Sequence, residues 1–495
     1  MLGAFFVGDY MAHFGRRKIY TDVEAITKDN ILAVVREAMT THDANRIEME
    51  YLFKYEKGDQ PILYREKSVR PEINVKMVEN HASEITDFIV GYQAGNPINL
   101  VSRSVSGDPT MDKHADTRIV MLNEMFADEF KQTKDIELFR NFHIGGLGYM
   151  ACLPKDNPLG KSPFDLLVLN PLNTFVVYGN DAYEKPILAV TYRVLKNGDK
   201  KVTAYSNNSV YTFGVGTQES GVNESINIIG TIPIVEFNCN RDLTGCFEKV
   251  IPLLNAINMI NSDRVNDVAQ FVQSLLWLHN AELDEEARKS LAEGDGFIFT
   301  KSTGNGNDAK LVYLTQKLDQ SQIQTYVDYL YKQVLQICGV PGRDKATGGN
   351  TGSALYLSNG YEQAESRAKE MELMYTRSAM QLLDVALRII RLSPNVDADI
   401  KSLEINEIDV EFSRDRSFDV ASRTNALSTM LNMGIAPLHA MRVVDLFNDV
   451  ETVYADSKER MDDVLFGNTN ELENTVNVDS TNAGIDVTEG TIYDN

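Results

Sequence analysis

The sequence predicts an α+β fold that is mainly helical. Two features lead to this prediction: an apolar stripe of helical period within residues 354–394, and a series of short strands between residues 166 and 213. Helical patterns follow the strand-rich stretch over residues 246–275 and 319–338. At 495 residues, the chain is long enough for two to four structural units.

The longest predicted element is a helix that ends near Leu392. From Ser353 onward no proline interrupts it, so it would extend for about 60 Å at 1.5 Å per residue. Its seam alternates spacings of four and three and comprises Leu357, Tyr361, Ala364, Ala368, Met371, Tyr375, Ser378, Leu382, Val385 and Ile389. Two interpretations remain open: the central helix of a domain, or a helix that packs against copies of itself.

Shorter elements are predicted on both sides of the strand-rich stretch. The predicted helices lie at 27–40, 43–55, 74–92, 116–142, 247–278, 420–433, 436–447 and 449–464. Short strands are expected at 62–64, 231–237 and 403–412, and Asn197-Gly198 reads as a hairpin turn. Between the helices at 319–338 and 354–394, Pro341 and several glycines predict a loop over residues 339–353.

The charge balance is strongly acidic, with 48 basic and 71 acidic residues and a formal net charge of −23. Such a surface disfavours tight clamping of DNA, which needs Lys and Arg opposite phosphates. It remains compatible with a protein that surrounds DNA and lets it slide. The final segment, 467–495, is acidic and rich in Asn, Thr and Gly, so it is expected to be disordered.

The cysteines and the apolar runs indicate a soluble protein made in the cytoplasm. Cys152, Cys239, Cys246 and Cys338 are scattered without a CxxC pair and are interpreted as reduced core thiols. At the start, basic residues follow the apolar run, the reverse of a secretory signal. No apolar run reaches the ~18 residues of a membrane span, so no membrane partner is expected.

No motif for catalysis, cofactor or metal binding stands out. Gly160-Lys161-Ser162 lacks the earlier glycine and the following helix of a phosphate-binding loop. The glycine-rich run 348–352 precedes a helix, but without a lysine in the motif position it reads as a hinge. The seven histidines show no pairing at metal-ligand spacing, and there is no GxSxG elbow. We therefore expect no cofactor, no metal and no enzymatic activity.

Several stretches together resemble the portal proteins of tailed bacteriophages, in particular those of long-tailed phages of Gram-positive bacteria. Their order and spacing over residues 45–460 carry the resemblance, since none is specific alone. They are Ala82 to Tyr92 with Gly95-Asn96-Pro97-Ile98, Ile232 to Phe237 with Asn240, Phe247 to Ile251, Gly339-Val340-Pro341, Thr351 to Ala354, Glu362-Gln363, and Val410-Glu411-Phe412 with Arg414.

The resemblance implies a ring oligomer, usually a dodecamer, built from wing, stem, clip, tunnel loop, long helix and crown. It assigns these parts as follows: wing, 1–245 completed by 395–419; stem helices, 246–275 and 319–338; clip, 276–318; tunnel loop, 339–353; long wing helix, 354–394; crown, 420–466. The ring would sit at the portal vertex of the capsid, where terminase pumps double-stranded DNA through it during genome packaging and where the genome later exits. Implied partners are the terminase large subunit, the head-completion adaptor, and the major capsid and scaffolding proteins.

The resemblance also suggests which residues meet DNA. In the tunnel loop these are Arg343, Lys345, Thr347, Asn350 and Thr351, although the lysines common at the start of the long helix in related portals are missing. On the first stem helix, Asp263, Asp267 and Gln270 share a face that is expected to line the channel or a subunit boundary; simple solvation is the alternative. Competing classes are a nucleic-acid enzyme such as terminase and a helical scaffold.

Overall fold

The computed structural model describes most of the chain: residues 15–68, 71–103, 116–155, 162–216, 221–272, 275–279, 281–282, 285, 301–302, 310–314, 320–342, 360–414, 420–444, 446–447, 450, 453–454 and 457–458. Within these ranges helices outweigh strands, as the sequence predicts. The chain divides into two units, Met1–Arg103 with Asp116–Phe418, and Ser104–Ala115 with Asp419–Asn495.

A six-stranded sheet in the order β1-β5-β6-β7-β8-β9 forms one layer of the larger unit. Its strands are β1 Ile19–Thr21, β5 Thr174–Gly179, β6 Pro186–Val194, β7 Lys200–Tyr205, β8 Ser209–Val215 and β9 Asn223–Ile226. β1 pairs with β5 in parallel, and the other pairs are antiparallel. The predicted turn at Gly198 joins β6 to β7, with φ at +87°.

One helix, α1 (Ile31–Glu56), covers a face of this sheet. Val34 and Val35 pack there against the side chains of Phe175 and Val190. The prediction of two helices at 27–40 and 43–55 is wrong, because no glycine or proline breaks the chain near His42, whose ring is buried beside Phe175.

A second core lies between a three-stranded sheet and several helices. The sheet has the order β10-β3-β4, and the elements around this core are α2 His81–Ala94, β2 Ile98–Ser102, α3 Thr117–Asp128, α4 Lys131–Gly145, β3 Leu147–Pro154, β4 Phe164–Leu169 and β10 Ile234–Asn238. The predicted helix 116–142 is thus two helices, separated where Phe130 adopts φ of +54°.

The long helix, α7 (Tyr361–Leu392), packs on β3 and β10. Its seam is buried from Ala364 to Ile389 except for the half-buried Ser378, with most of it in the core of its own chain, as a central domain helix requires. Ser378 Oγ donates to the carbonyl of Glu236 at 2.8 Å. The opposite face is open: Leu373 is 76% exposed. The part of the predicted helix before residue 360 lies outside the described residues.

Two further helices, α5 Ile251–Val272 and α6 Gln320–Cys338, flank the predicted insertion. Helix prediction to residue 278 is wrong, because Leu275–His279 forms β11, which pairs with β14 Lys310–Leu314. A short pair, β12 Ala281–Glu282 and β13 Lys301–Ser302, also belongs to this insertion.

Three other expectations need correction. Pro61–Tyr64 is a turn of 3₁₀-helix instead of a strand, with the fixed φ of Pro61 at its first position. Residues 74–80 are outside the helix predicted from Asn74, which starts at His81. The strand predicted at 403–412 begins only at Ile408; after the short helix α8 (Ala398–Lys401), β15 (Ile408–Phe412) pairs with β2.

The smaller unit contains α9 (Val420–Asn432) and α10 (Pro437–Val444), joined by a turn in which Gly434 has φ of +82°. It has a core of its own, formed by Leu427, Ala440, Met441, Val444 and Val450. The predicted acidic tail, 467–495, lies outside the described residues.

Candidate functional site

The two helices α5 and α6 pack side by side in opposite directions. Ile257 of α5 and Leu330 of α6 belong to one buried cluster. Further along, Arg264 Nη1 of α5 donates to Gln324 Oε1 of α6 at 2.7 Å. Because the residue numbers rise along one helix as they fall along the other, the pair forms an antiparallel hairpin, with the β11–β14 insertion in sequence between them.

An extended segment, residues 75–79, lies along the buried polar side of α5; we call it the strap. Asn266 Oδ1 accepts from the amide of Val75 at 2.6 Å, and Ser262 Oγ accepts from the amide of Met77 at 2.9 Å. Asn258 Oδ1 accepts from Glu79 N at 2.8 Å. Three side chains of α5 thus accept the backbone hydrogen bonds that a neighbouring strand would accept in a sheet.

The spacing explains why this ladder fits. Four helical residues advance about 6 Å, and two extended residues advance about 6.6 Å, so every fourth α5 side chain meets every second strap amide. Asn266 Nδ2 also donates to the carbonyl of Val75 at 3.2 Å. Strap residues 75–79 are therefore extended even though the apolar pattern of 74–92 suggested a helix, because α5 satisfies the backbone better than local helix formation would.

Asp263, Asp267 and Gln270 of α5 were predicted to line the channel or a subunit boundary, and the two aspartates have different surroundings. Asp263 accepts from Arg65 Nη1 at 2.7 Å, and Lys67 Nζ lies 3.8 Å from the same oxygen. Asp263 and Asp267 both line an open groove of about 420 Å³ between α5 and α6. The groove is completed by Ile260, Arg264, Gln322, Ile323 and Tyr326. Gln270 lies in α5, but its side chain is not among those described.

His81, the first residue of α2, links the strap to α2 and to α6. His81 Nε2 lies 3.1 Å from Glu79 Oε2, and His81 Nδ1 lies 2.8 Å from Glu84 Oε2. Tyr331 of α6 donates to Glu84 Oε1 at 2.8 Å and lies against the imidazole at 4.5 Å between ring centroids. This cluster fixes the end of the strap against the helix pair.

The loop residues expected to meet DNA, Arg343, Lys345, Thr347, Asn350 and Thr351, lie outside the described residues. Both approaches to the loop are described. Gly339, after the end of α6, has φ of +70°, and Gly360, before α7, has φ of +84°. Both positions favour glycine, because L side chains rarely adopt this conformation.

Three titratable side chains, His42, His143 and Cys246, have pKa values shifted by burial. Burial lowers the pKa of His42 to about 4 and that of His143 to about 3. Burial raises the pKa of the Cys246 thiol to about 12. Among the described residues, no group of three or more His, Cys, Asp or Glu side chains is placed to hold a metal ion.

Sequence reasoning missed the strap ladder and the basic partners of Asp263. The spacing of Asn258, Ser262 and Asn266 at every fourth position was a signal for the ladder. Arg65 and Lys67 carried no comparable pattern. No helix in the described stretches has the length and apolar character that a bilayer crossing needs.

The mixed helix and strand content is consistent with a match to a known protein family. Residues 38–463 match the model of the family described as "Phage portal protein, SPP1 Gp6-like", and the chain belongs to this family. It is therefore a structural protein of the bacteriophage virion, located at the capsid portal, in a family that is not enzymatic in general.

Comparison with individual proteins adds one structural similarity. A chain from a structure titled "Virion of native gene transfer agent (GTA) particle" is 11% identical, with a TM-score of 0.44; the match covers 81% of this chain and 94% of that chain. No protein with a curated description matches the sequence.

Proposed function

We propose that twelve copies of the chain form a ring at one capsid vertex, and that double-stranded DNA enters and leaves through its central channel. The observation that carries this proposal is the family match over residues 38–463. The α5–α6 hairpin supports it, because an antiparallel helix pair with an open groove that carries Asp263 and Asp267 is suited to line a passage beside its neighbours.

The parts of the portal are assigned from this proposal. The α5–α6 hairpin is the stem, and the insertion 276–318 is the clip that meets the terminase large subunit and later the head-completion adaptor. The two sheets with α1–α4 and β15 form the wing, which faces the major capsid and scaffolding proteins. The loop 339–353 is the tunnel loop, residues 354–394 are the long wing helix, and residues 420–466 are the crown.

Electrostatics explains how such a channel passes DNA without holding it. A protein with a net charge of −23 repels phosphates, which keeps the duplex centred. Arg65 and Lys67 partly neutralise Asp263, so we expect Asp267 to contribute more of this repulsion. Arg343 and Lys345 would touch the duplex lightly nearest the axis. Coordinates of an assembled ring with these four residues, Asp263, Asp267, Arg343 and Lys345, on its outer surface would contradict the assignment.

Electron microscopy of the purified protein tests the ring. We expect particles with a central hole wide enough for a duplex, whereas a compact monomer would overturn the proposal. ATPase activity in the purified protein would instead favour a terminase-like enzyme.

A loop variant tests the passage of DNA separately. Shortening residues 342–353 is expected to leave ring formation intact and to reduce packaging, because the loop contacts DNA without joining subunits. If the shortened protein failed to form rings, the loop would have a role in assembly instead.

A further inference from the structure

The first three turns of α7, residues 361–372, receive contacts from two distant parts of the chain. On one side, Arg367 Nη1 donates to the carbonyl of Ile337 in the last turn of α6 at 2.8 Å. A Cβ added at Gly339 would lie 2.7 Å from Arg367 Cδ, so the arginine packs directly over this glycine. Arg367 therefore contacts the chain at the point where it leaves α6.

On the other side, Arg414 inserts between two carboxylates of the same three turns. Its side chain is only 6% exposed; Nη2 donates to Glu365 Oε1 at 2.9 Å and Nη1 contacts Glu372 Oε1. The guanidinium also lies over the ring of Tyr92, 5.9 Å from its centroid. Tyr92 in turn donates to Glu365 Oε2 at 2.8 Å, which ties α2 into the network.

The balance of charge makes this arginine decisive. Glu365 and Glu372 are two turns apart on one face of α7, and both side chains are largely shielded from water. Without the guanidinium between them, Glu372 would lose this cation and Glu365 would keep the more distant ammonium of Lys369, 3.8 Å away, which disfavours the helical arrangement that holds the two carboxylates together. Residues 343–359 directly precede this stretch in the chain, so loosening these turns would loosen the point where that segment joins α7.

We propose that Arg414 is a positioning residue for the DNA-facing loop. It fixes the first turns of α7, and Arg367 joins these turns to the end of α6, so the residues on both sides of 343–359 are held together. Arg414 also stands directly before residues 415–419, which lead along the chain into the smaller unit. The inference rests on the proposed function, because the effect of Arg414 on the loop is measured by the amount of DNA that the ring packages.

Hydrogen exchange of Arg414→Gln rings, compared with wild-type rings, tests the proposal. We expect exchange in 361–372 to rise about tenfold or more, with 376–392 unchanged, since the rest of α7 is packed in the core. Arg414→Lys should show a smaller increase, because an ammonium lacks the fork that engages both carboxylates. Arg388→Gln is the matched control; it breaks an exposed pair with Asp384 at the far end of the same helix.

Packaging by the same rings gives the functional readout. The Arg414→Gln ring should assemble but package at least several-fold less DNA, while the Arg388→Gln ring packages normally. Unchanged exchange in 361–372, or exchange that rises without any loss of packaging, would overturn the inference. If wild-type protein formed no rings, the proposed function itself would fail, so the two failures are distinguishable. Should Arg414→Gln not fold, Arg414→Lys carries the same comparison.

Discussion

The strap ladder makes a prediction that is specific to single backbone amides. Replacing Asn266, which is 2% exposed, by alanine removes both its contacts with Val75. The ladder bonds to Met77 and Glu79 come from other side chains and remain. We therefore expect a local loss of protection at Val75 and little change at the other two amides.

The expected increase in the exchange rate depends on how exposed Val75 is once its amide has lost Asn266. A buried donor left without a partner costs about 1–3 kcal/mol, but Val75 is 41% exposed, so water replaces part of the lost bond. A cost of about 1–2 kcal/mol corresponds to exchange about 5–30 times faster. Asn266→Asp keeps the acceptor for the Val75 amide and should fall between wild type and alanine.

Residue-resolved hydrogen exchange is the assay, and Asn261→Ala is the matched control. Asn261 lies on the same face of α5 but bonds to the side chain of Glu79, so its loss leaves the amide of Val75 paired. In the wild type, the amides of Val75, Met77 and Glu79 should exchange more slowly than those between them. Equal protection along the whole strap, or no effect of Asn266→Ala at Val75, would refute the ladder.

Two further predictions concern the core. Burial lowers the pKa of His42 from 6.5 to about 4, so unfolding takes up a proton there, and His42 lowers the stability by about 3 kcal/mol at most as pH drops from 6.5 toward 4. His143, whose pKa is lowered to about 3, adds a dependence of the same sign. His42→Gln should therefore make the pH dependence in denaturation curves shallower without abolishing it, and an unchanged slope would contradict this. Gly146 has φ of +85° with Leu243 O 2.1 Å from an added Cβ, whereas Gly198 has φ of +87° and open space. Gly146→Ala should therefore lower the melting temperature far more than Gly198→Ala, and equal shifts would refute the close approach.

The elements that sequence reasoning predicted well are those whose pattern is local. The α7 seam alternates spacings of three and four, and its apolar residues are buried from Ala364 onward. Strands β5 to β8 follow from alternating apolar residues and from the turn at Gly198. In these elements the apolar period and the turn residues agree with the tertiary fold.

The elements that were missed depend on partners far along the chain. The strap is extended because Asn258, Ser262 and Asn266 satisfy its backbone, and nothing near residue 75 in the sequence shows this. A stripe of Asn and Ser on a helix resembles a solvated face, so its burial was not predicted. Likewise, Arg65 reaches Asp263 from a segment remote in sequence.

The pairing of β2 with β15 also affects the order in which the protein can complete its fold during synthesis. Ile98–Ser102 emerges from the ribosome early, and its partner Ile408–Phe412 follows roughly 15 to 60 s later at ordinary elongation rates. Until then Leu100, fully covered in the finished molecule, lacks the strand that shields it. Nascent chains that stop before residue 412 should therefore depend on chaperones and aggregate when these are withheld.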